Sequence, residues 1–152
     1  MKDLRWIWLL TAAATVGFIW QQSTLPPAES AEVSASVRDV IVSWLGGADT
    51  RLGAFFDRFV RKIAHFVEFA TLGAQIEAYL AGRQTRIAIL CLAGFGLAVA
   101  SLDETLQLFT GRGAALTDVL LDFSGYLFGA LAIFAICLLW RAIMKKGKGD
   151  AV

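Results

Sequence analysis

Four apolar blocks, each about as long as a helix needs to cross a bilayer, make up most of this chain and constrain its fold more than any other feature. They cover residues 4–21, 59–80, 87–109 and 117–140. About 20 apolar residues span the roughly 30 Å of hydrocarbon as an α-helix, and a helix satisfies its backbone polar groups internally, as lipid requires. Composition agrees: of 152 residues, 57% are hydrophobic and 18% charged, against about 25% charged in a soluble domain. Mean hydropathy is +0.63. The sequence therefore predicts an all-α integral membrane four-helix bundle, with residues 1–152 as a single membrane domain.

Several function classes fall away at once. The net charge of +1 points to no polyanionic partner, and no nucleic-acid module is present. Cys91 and Cys137 both lie inside apolar blocks, where they read as buried free thiols rather than a disulfide framework. No cofactor is expected.

The first block has Lys2 and Arg5 before it and is bracketed by Trp6, Trp8 and Trp20, as interfacial anchors bracket a span. It reads as a retained helix. A cleaved signal segment ending near Ala28-Glu29-Ser30 is the alternative. Pro26-Pro27 stops that helix. Val33, Val37, Val40, Ile41, Trp44 and Leu45 then recur at helical spacing up to Gly46-Gly47. This predicts a short amphipathic helix in the outer loop, lying on the membrane surface or capping the bundle. A basic turn, Gly82 to Arg86, separates the second and third spans, and Gly111-Arg112-Gly113 separates the third and fourth.

Charge sets the orientation. The N-terminus, the 81–86 turn and the C-terminal tail carry Lys2, Arg5, Arg83, Arg86, Arg141, Lys145, Lys146 and Lys148. The basic residues of the long 22–58 segment, Arg38, Arg51 and Arg58, are matched by Glu29, Glu32, Asp39, Asp49 and Asp57. The positive-inside rule then puts both termini in the cytoplasm of a multi-pass protein in a bacterial inner membrane.

With that topology the ionisable residues of the spans gather at the outer end. Arg61, Lys62, His65 and Glu68 lie early in the second span, and Asp103, Glu104 and Gln107 late in the third. Arg112 sits in the outer turn, and Asp118 and Asp122 open the fourth span. Glu77 is the exception, expected at the cytoplasmic interface. Lys62, His65, Phe69 and Leu72 share a helix face. Asp118, Asp122, Gly125 and Gly129 form one stripe, whose Gly-x-x-x-Gly pair lets a second helix approach closely. A charge within hydrocarbon costs at least about 2.5–3.5 kcal/mol. These groups must therefore pair as salt bridges or line a polar pocket open to the outer leaflet, and the pocket is the reading adopted. Acids outnumber bases. His65, the single histidine, is the side chain suited to carry a proton near neutrality. One histidine among carboxylates at no diagnostic spacing does not predict a metal site.

Three stretches carry a resemblance. They are Arg61-Lys62-Ile63-Ala64-His65-Phe66-Val67-Glu68-Phe69 with Leu72-Gly73, then Asp103-Glu104-Thr105-Leu106-Gln107-Leu108-Phe109 with Gly111-Arg112, and Asp118-Val119-Leu120 with Gly125 and Gly129. In order and spacing the chain resembles the VanZ-like family of small bacterial membrane proteins over roughly residues 15 to 130. It departs from that pattern at Asp122, where the family usually has asparagine, which adds a carboxylate. The resemblance implies an envelope membrane protein, in a family named for a member that gives low-level resistance to the glycopeptide teicoplanin.

Two functions follow as expectations. The first is a non-enzymatic protein in the lipid bilayer whose outer pocket binds a lipid-linked envelope precursor or a lipophilic compound. Its binding residues would be Arg61, Lys62, His65, Glu68, Asp103, Glu104, Gln107, Arg112, Asp118 and Asp122. The second is a membrane-embedded hydrolase or transferase acting on a polyprenyl-phosphate-linked substrate. There His65 would be the acid or base, oriented by Glu68 or Asp103. The first is preferred, and no catalytic residue is assigned. Ion-coupled transport fits poorly, because the middles of the spans carry almost no charge.

Overall fold

The computed structural model describes residues 5–26, 28–29, 32, 35–37, 39–40, 53–81, 85–111, 113 and 115–149. Helix is the only regular structure among them. Helix α1 runs Arg5–Ser23, α2 Gly53–Leu80, α3 Arg86–Phe109 and α4 Leu116–Gly149. Each apolar block thus lies on a helix, while α2 starts and α4 ends beyond its block. In the turn before α3, Thr85 caps the helix, its hydroxyl accepting the Ala88 N–H at 3.1 Å. The turn before α4 places Gly111 at φ 77° and Gly113 at φ 71°, in the left-handed region that only glycine enters without strain.

By length and composition α3 and residues 116–146 of α4 can cross a membrane. Only 11% of the most apolar window of α4 is buried, so most of its apolar side chains stay uncovered instead of forming a water-shielded core. The first two helices do not meet the same composition standard. In α2 the reason is plain: Asp57, Arg58, Arg61, Lys62, Glu68 and Glu77 interrupt it.

Contacts at the helix ends fix the relative directions. The Arg5 guanidinium donates to the Ala81 carbonyl at 3.5 Å, joining the start of α1 to the end of α2. The Thr110 hydroxyl donates to the Ser23 carbonyl at 3.3 Å, joining the ends of α3 and α1. Lys62 meets Asp118 at 2.7 Å, joining the starts of α2 and α4. One end of the molecule therefore collects the starts of α2 and α4 and the finishes of α1 and α3.

The α2–α4 contact is the most extensive in the molecule, and glycines make it. A Cβ on Gly125 would run into the backbone of Phe66, one on Gly129 into the carbonyl of Ala70, and one on Gly73 into the carbonyl of Tyr126. Backbone thus lies against backbone, as small residues permit between membrane helices. Around this seam Ile19, Phe69, Leu72, Ala100 and Tyr126 are fully buried. The Tyr126 ring lies over Gly96 of α3, where a Cβ would collide with it.

Three expectations are revised. The thiols are free, but Cys91 is exposed and Cys137 half-exposed, so neither is a core side chain. Glu77 is 5% exposed and borders a cavity of about 230 Å³ lined also by Leu80, Ala88 and Leu127, rather than resting at an interface. Trp6 and Trp8 are exposed, whereas Trp20 turns inward against the core. Between residues 28 and 40 the described positions are helical, and Val37 and Val40 are exposed. Val33, Ile41, Trp44 and Leu45 of the expected amphipathic helix lie outside the described residues.

Candidate functional site

At the shared end three helices contribute one side chain each to a common point. His65 comes from the fourth turn of α2, Asp103 from the penultimate turn of α3 and Asp122 from the second turn of α4. His65 Nδ1 stands 3.8 Å from Asp103 Oδ2 and 3.9 Å from Asp122 Oδ2. The His65 side chain is 13% exposed and that of Asp103 is fully buried, while Asp122 is 2% exposed. Their arrangement follows from the backbone: the glycine seam brings α4 so close to α2 that a carboxylate one turn before Gly125 must meet the α2 face that carries His65.

Further groups hold this centre. Gln107, one turn beyond Asp103 on α3, donates its amide N–H to Asp103 Oδ2 at 2.9 Å. Among the described residues, Asp103 Oδ1 is buried with no hydrogen-bond partner. Glu68, one turn along α2 from His65, likewise has Oε2 buried without a partner, and so does the Nε of the half-buried Arg61. Unpaired polar atoms at such depth are costly, and several in one place mark a site that is incomplete by itself.

Three expected ligand residues are occupied with structural work. Lys62 pairs with Asp118, the two side chains 52% and 35% exposed, an ion pair at the rim of the kind that contributes at most about 1 kcal/mol. Glu104 is 4% exposed, and its Oε1 accepts the backbone N–H of Ala115 at 2.6 Å. Ala115 in turn accepts the first hydrogen bonds of α4, so Glu104 ties the end of α3 to the start of α4. Glu104→Ala is expected to destabilise the protein by about 1.5–3 kcal/mol, the range for a hydrogen bond to a charged group. Thermal unfolding in detergent measures this, and Glu104→Gln, which keeps an acceptor, should recover most of the loss. Arg112 lies outside the described residues.

An apolar cavity of about 550 Å³ opens between α1, α2 and α3, with Val16, Trp20, Ile76, Leu92 and Phe95 on its walls. Its lining contains no charge. Sequence reasoning did not anticipate it, because a gap between helices leaves no mark in any one of them. Gly17 on its wall, beside which a Cβ would meet nothing, is the faint signal it left.

An all-helical protein with apolar helix flanks and most of its buried polar side chains gathered at one end belongs to the membrane class, with a polar site built from several helices. The VanZ/LLP1 family model matches residues 5–140, and the chain is a member of that family. No curated protein and no solved structure matches it.

Proposed function

We propose that all four helices cross a bacterial inner membrane with both termini in the cytoplasm, and that the gathered site faces outward and seats the charged headgroup of a lipid-linked envelope precursor. The single observation behind this reading is the incomplete polar centre itself: Arg61, Glu68 and Asp103 each keep a buried polar atom without a partner among the described residues. Orientation rests on the cations at the opposite end. Arg5, Arg86, Arg141, Lys145 and Lys146 lie at the starts of α1 and α3 and the end of α4, where the positive-inside rule wants them. Arg61 is the residue suited to a phosphate, since its planar fork donates to two oxygens at once. The apolar cavity bounded by Trp20 would take the lipid tail. Holding such a precursor is also how a protein of this kind would change the response to a glycopeptide such as teicoplanin, which acts on the outer side of the membrane.

Native mass spectrometry from detergent tests this. A polyprenyl phosphate should remain bound, the corresponding neutral polyprenol should not, and Arg61→Ala should weaken retention at least tenfold. Equal retention of phosphate and alcohol, or of neither, would rule the headgroup reading out.

A second reading has its own support. The Nδ1 of His65 faces two carboxylates, as the ring of an acid–base histidine held by an orienting acid would. In a membrane-embedded hydrolase or transferase, His65 would move a proton to or from the lipid phosphate ester. Asp103 would hold its ring. Product formed from envelope lipids by the purified protein, and abolished by His65→Ala, is the result this reading requires.

A further inference from the structure

We infer that His65, Asp103 and Asp122 form a site for one first-row divalent cation, of the Mn²⁺ or Zn²⁺ type. One ligand atom from each residue lies within 4.8 Å of the other two. Ligands about 2.1 Å from a tetrahedral ion stand roughly 3.4 Å apart. The 3.8 and 3.9 Å separations from His65 are thus about half an ångström from closing, and the two carboxylates lie within 4.8 Å of each other.

The acids alone would not carry this conclusion, since carboxylates often cluster without an ion. Three other observations do. First, Asp122 is 2% exposed and accepts no hydrogen bond from a described residue, while its Oδ2 faces His65. Second, Asp103 is fully buried with Oδ1 lacking a partner. Two such carboxylates facing each other at the end of apolar helices repel in a medium of low polarity. Lys62 cannot neutralise them, because it is turned to the rim and engaged by Asp118. Third, the support around the ligands is of the type metal sites use. Gln107 donates to Asp103 Oδ2 at 2.9 Å, fixing the carboxylate as outer-shell hydrogen bonds do around a bound metal. The three ligands also come from three helices locked together at the glycine seam and at the Glu104–Ala115 bond, so the geometry is held before the ion arrives.

One imidazole and two carboxylates make a mixed nitrogen–oxygen set. That composition favours Mn²⁺, Fe²⁺ or Zn²⁺ over Ca²⁺ and Mg²⁺, which take all-oxygen surroundings. Three protein ligands leave at least one coordination position open. The open position would accept a phosphate or carboxylate oxygen, or a water. The ion site stands on its own geometry and does not depend on a lipid being bound.

The test uses untagged full-length chain in detergent, stripped with a chelator and titrated with Mn²⁺. Because His65 is the single histidine of the chain, nitrogen hyperfine coupling in the pulsed electron paramagnetic resonance spectrum of bound Mn²⁺ reports its ligation with no mutation needed. Expected are one ion per chain, a nitrogen coupling, and affinity lowered at least a hundredfold in Asp122→Ala. Gln107→Leu should weaken binding about 10–100-fold, the usual loss for an outer-shell partner. Folded wild-type protein that binds no Mn²⁺ or Zn²⁺, or binds Mn²⁺ without nitrogen coupling, would overturn the assignment. So would unchanged affinity in folded Asp122→Ala.

Discussion

Gly129→Leu is expected to prevent the native α2–α4 contact altogether. The Cβ alone would collide with the carbonyl of Ala70, and that atom belongs to a helix backbone that cannot rotate away. Overpacking in a well-packed core usually costs about 1–3 kcal/mol because side chains give way. Here both sides of the contact are main chain, so the loss should exceed that range. The visible result would be aggregated or proteolysed protein on detergent extraction, where Gly94→Leu, at a position with nothing within reach of a Cβ, should extract as the wild type does. If Gly129→Leu gave a monodisperse protein with unchanged thermal stability, the seam could not be as tight as described. Gly73 and Gly125 should behave like Gly129, since each also faces backbone.

Asp103→Asn should change stability in opposite directions with and without metal. In chelator the wild type keeps a buried carboxylate close to a second one. Asparagine preserves the shape and still accepts from Gln107, so the variant should be more stable by about 1–3 kcal/mol, a part of the several kcal/mol that burying a poorly compensated ion costs. Residues retained for function at a stability cost behave this way. In saturating Mn²⁺ the order should reverse, because a ligand at a hundred times its dissociation constant stabilises the native state by about 2.7 kcal/mol. At about 2–4 °C per kcal/mol for a chain of this size, paired thermal scans resolve both effects. Parallel melting curves that keep one order under both conditions would remove the ion from the centre of the site.

The positions of the helices were readable because long apolar blocks announce themselves through length. Blocks near 20 residues, bounded by Pro26-Pro27, Thr85 and the Gly111–Gly113 turn, left little choice of where helices lie. The meeting of polar residues at one end was readable too, because alternating helix direction places the start of one span beside the finish of the next. Individual roles were not. Nothing in the residue type distinguishes Glu104, which accepts the Ala115 N–H, from Asp103, which faces His65. The difference is one helix position, about 100° of rotation, and which face turns inward depends on packing. Lys62 and Asp118 looked like pocket residues and satisfy each other at the rim. His65, Asp103 and Asp122 showed no ligand spacing because they lie 38 and 19 residues apart along the chain, and a metal motif read from sequence needs its ligands on one element or at a fixed interval. Glu77 misled for a related reason: proximity to a helix end suggested solvent, and the neighbouring helices cover it.

The overrun of α4 bears on how the protein sits in its bilayer. Past Trp140 the helix continues for nine residues to Gly149, about 13 Å of rod, with Arg141, Lys145 and Lys146 exposed around it. If that rod lies on the cytoplasmic side, as proposed, its cations would be held by the anionic headgroups there, and the molecule's height would be set from below. Any change in bilayer thickness must then be absorbed at the far end, where a thinner membrane leaves His65 and its neighbours standing in water and a thicker one draws them under. The lipid composition of the cell would thereby act on the polar centre without touching it.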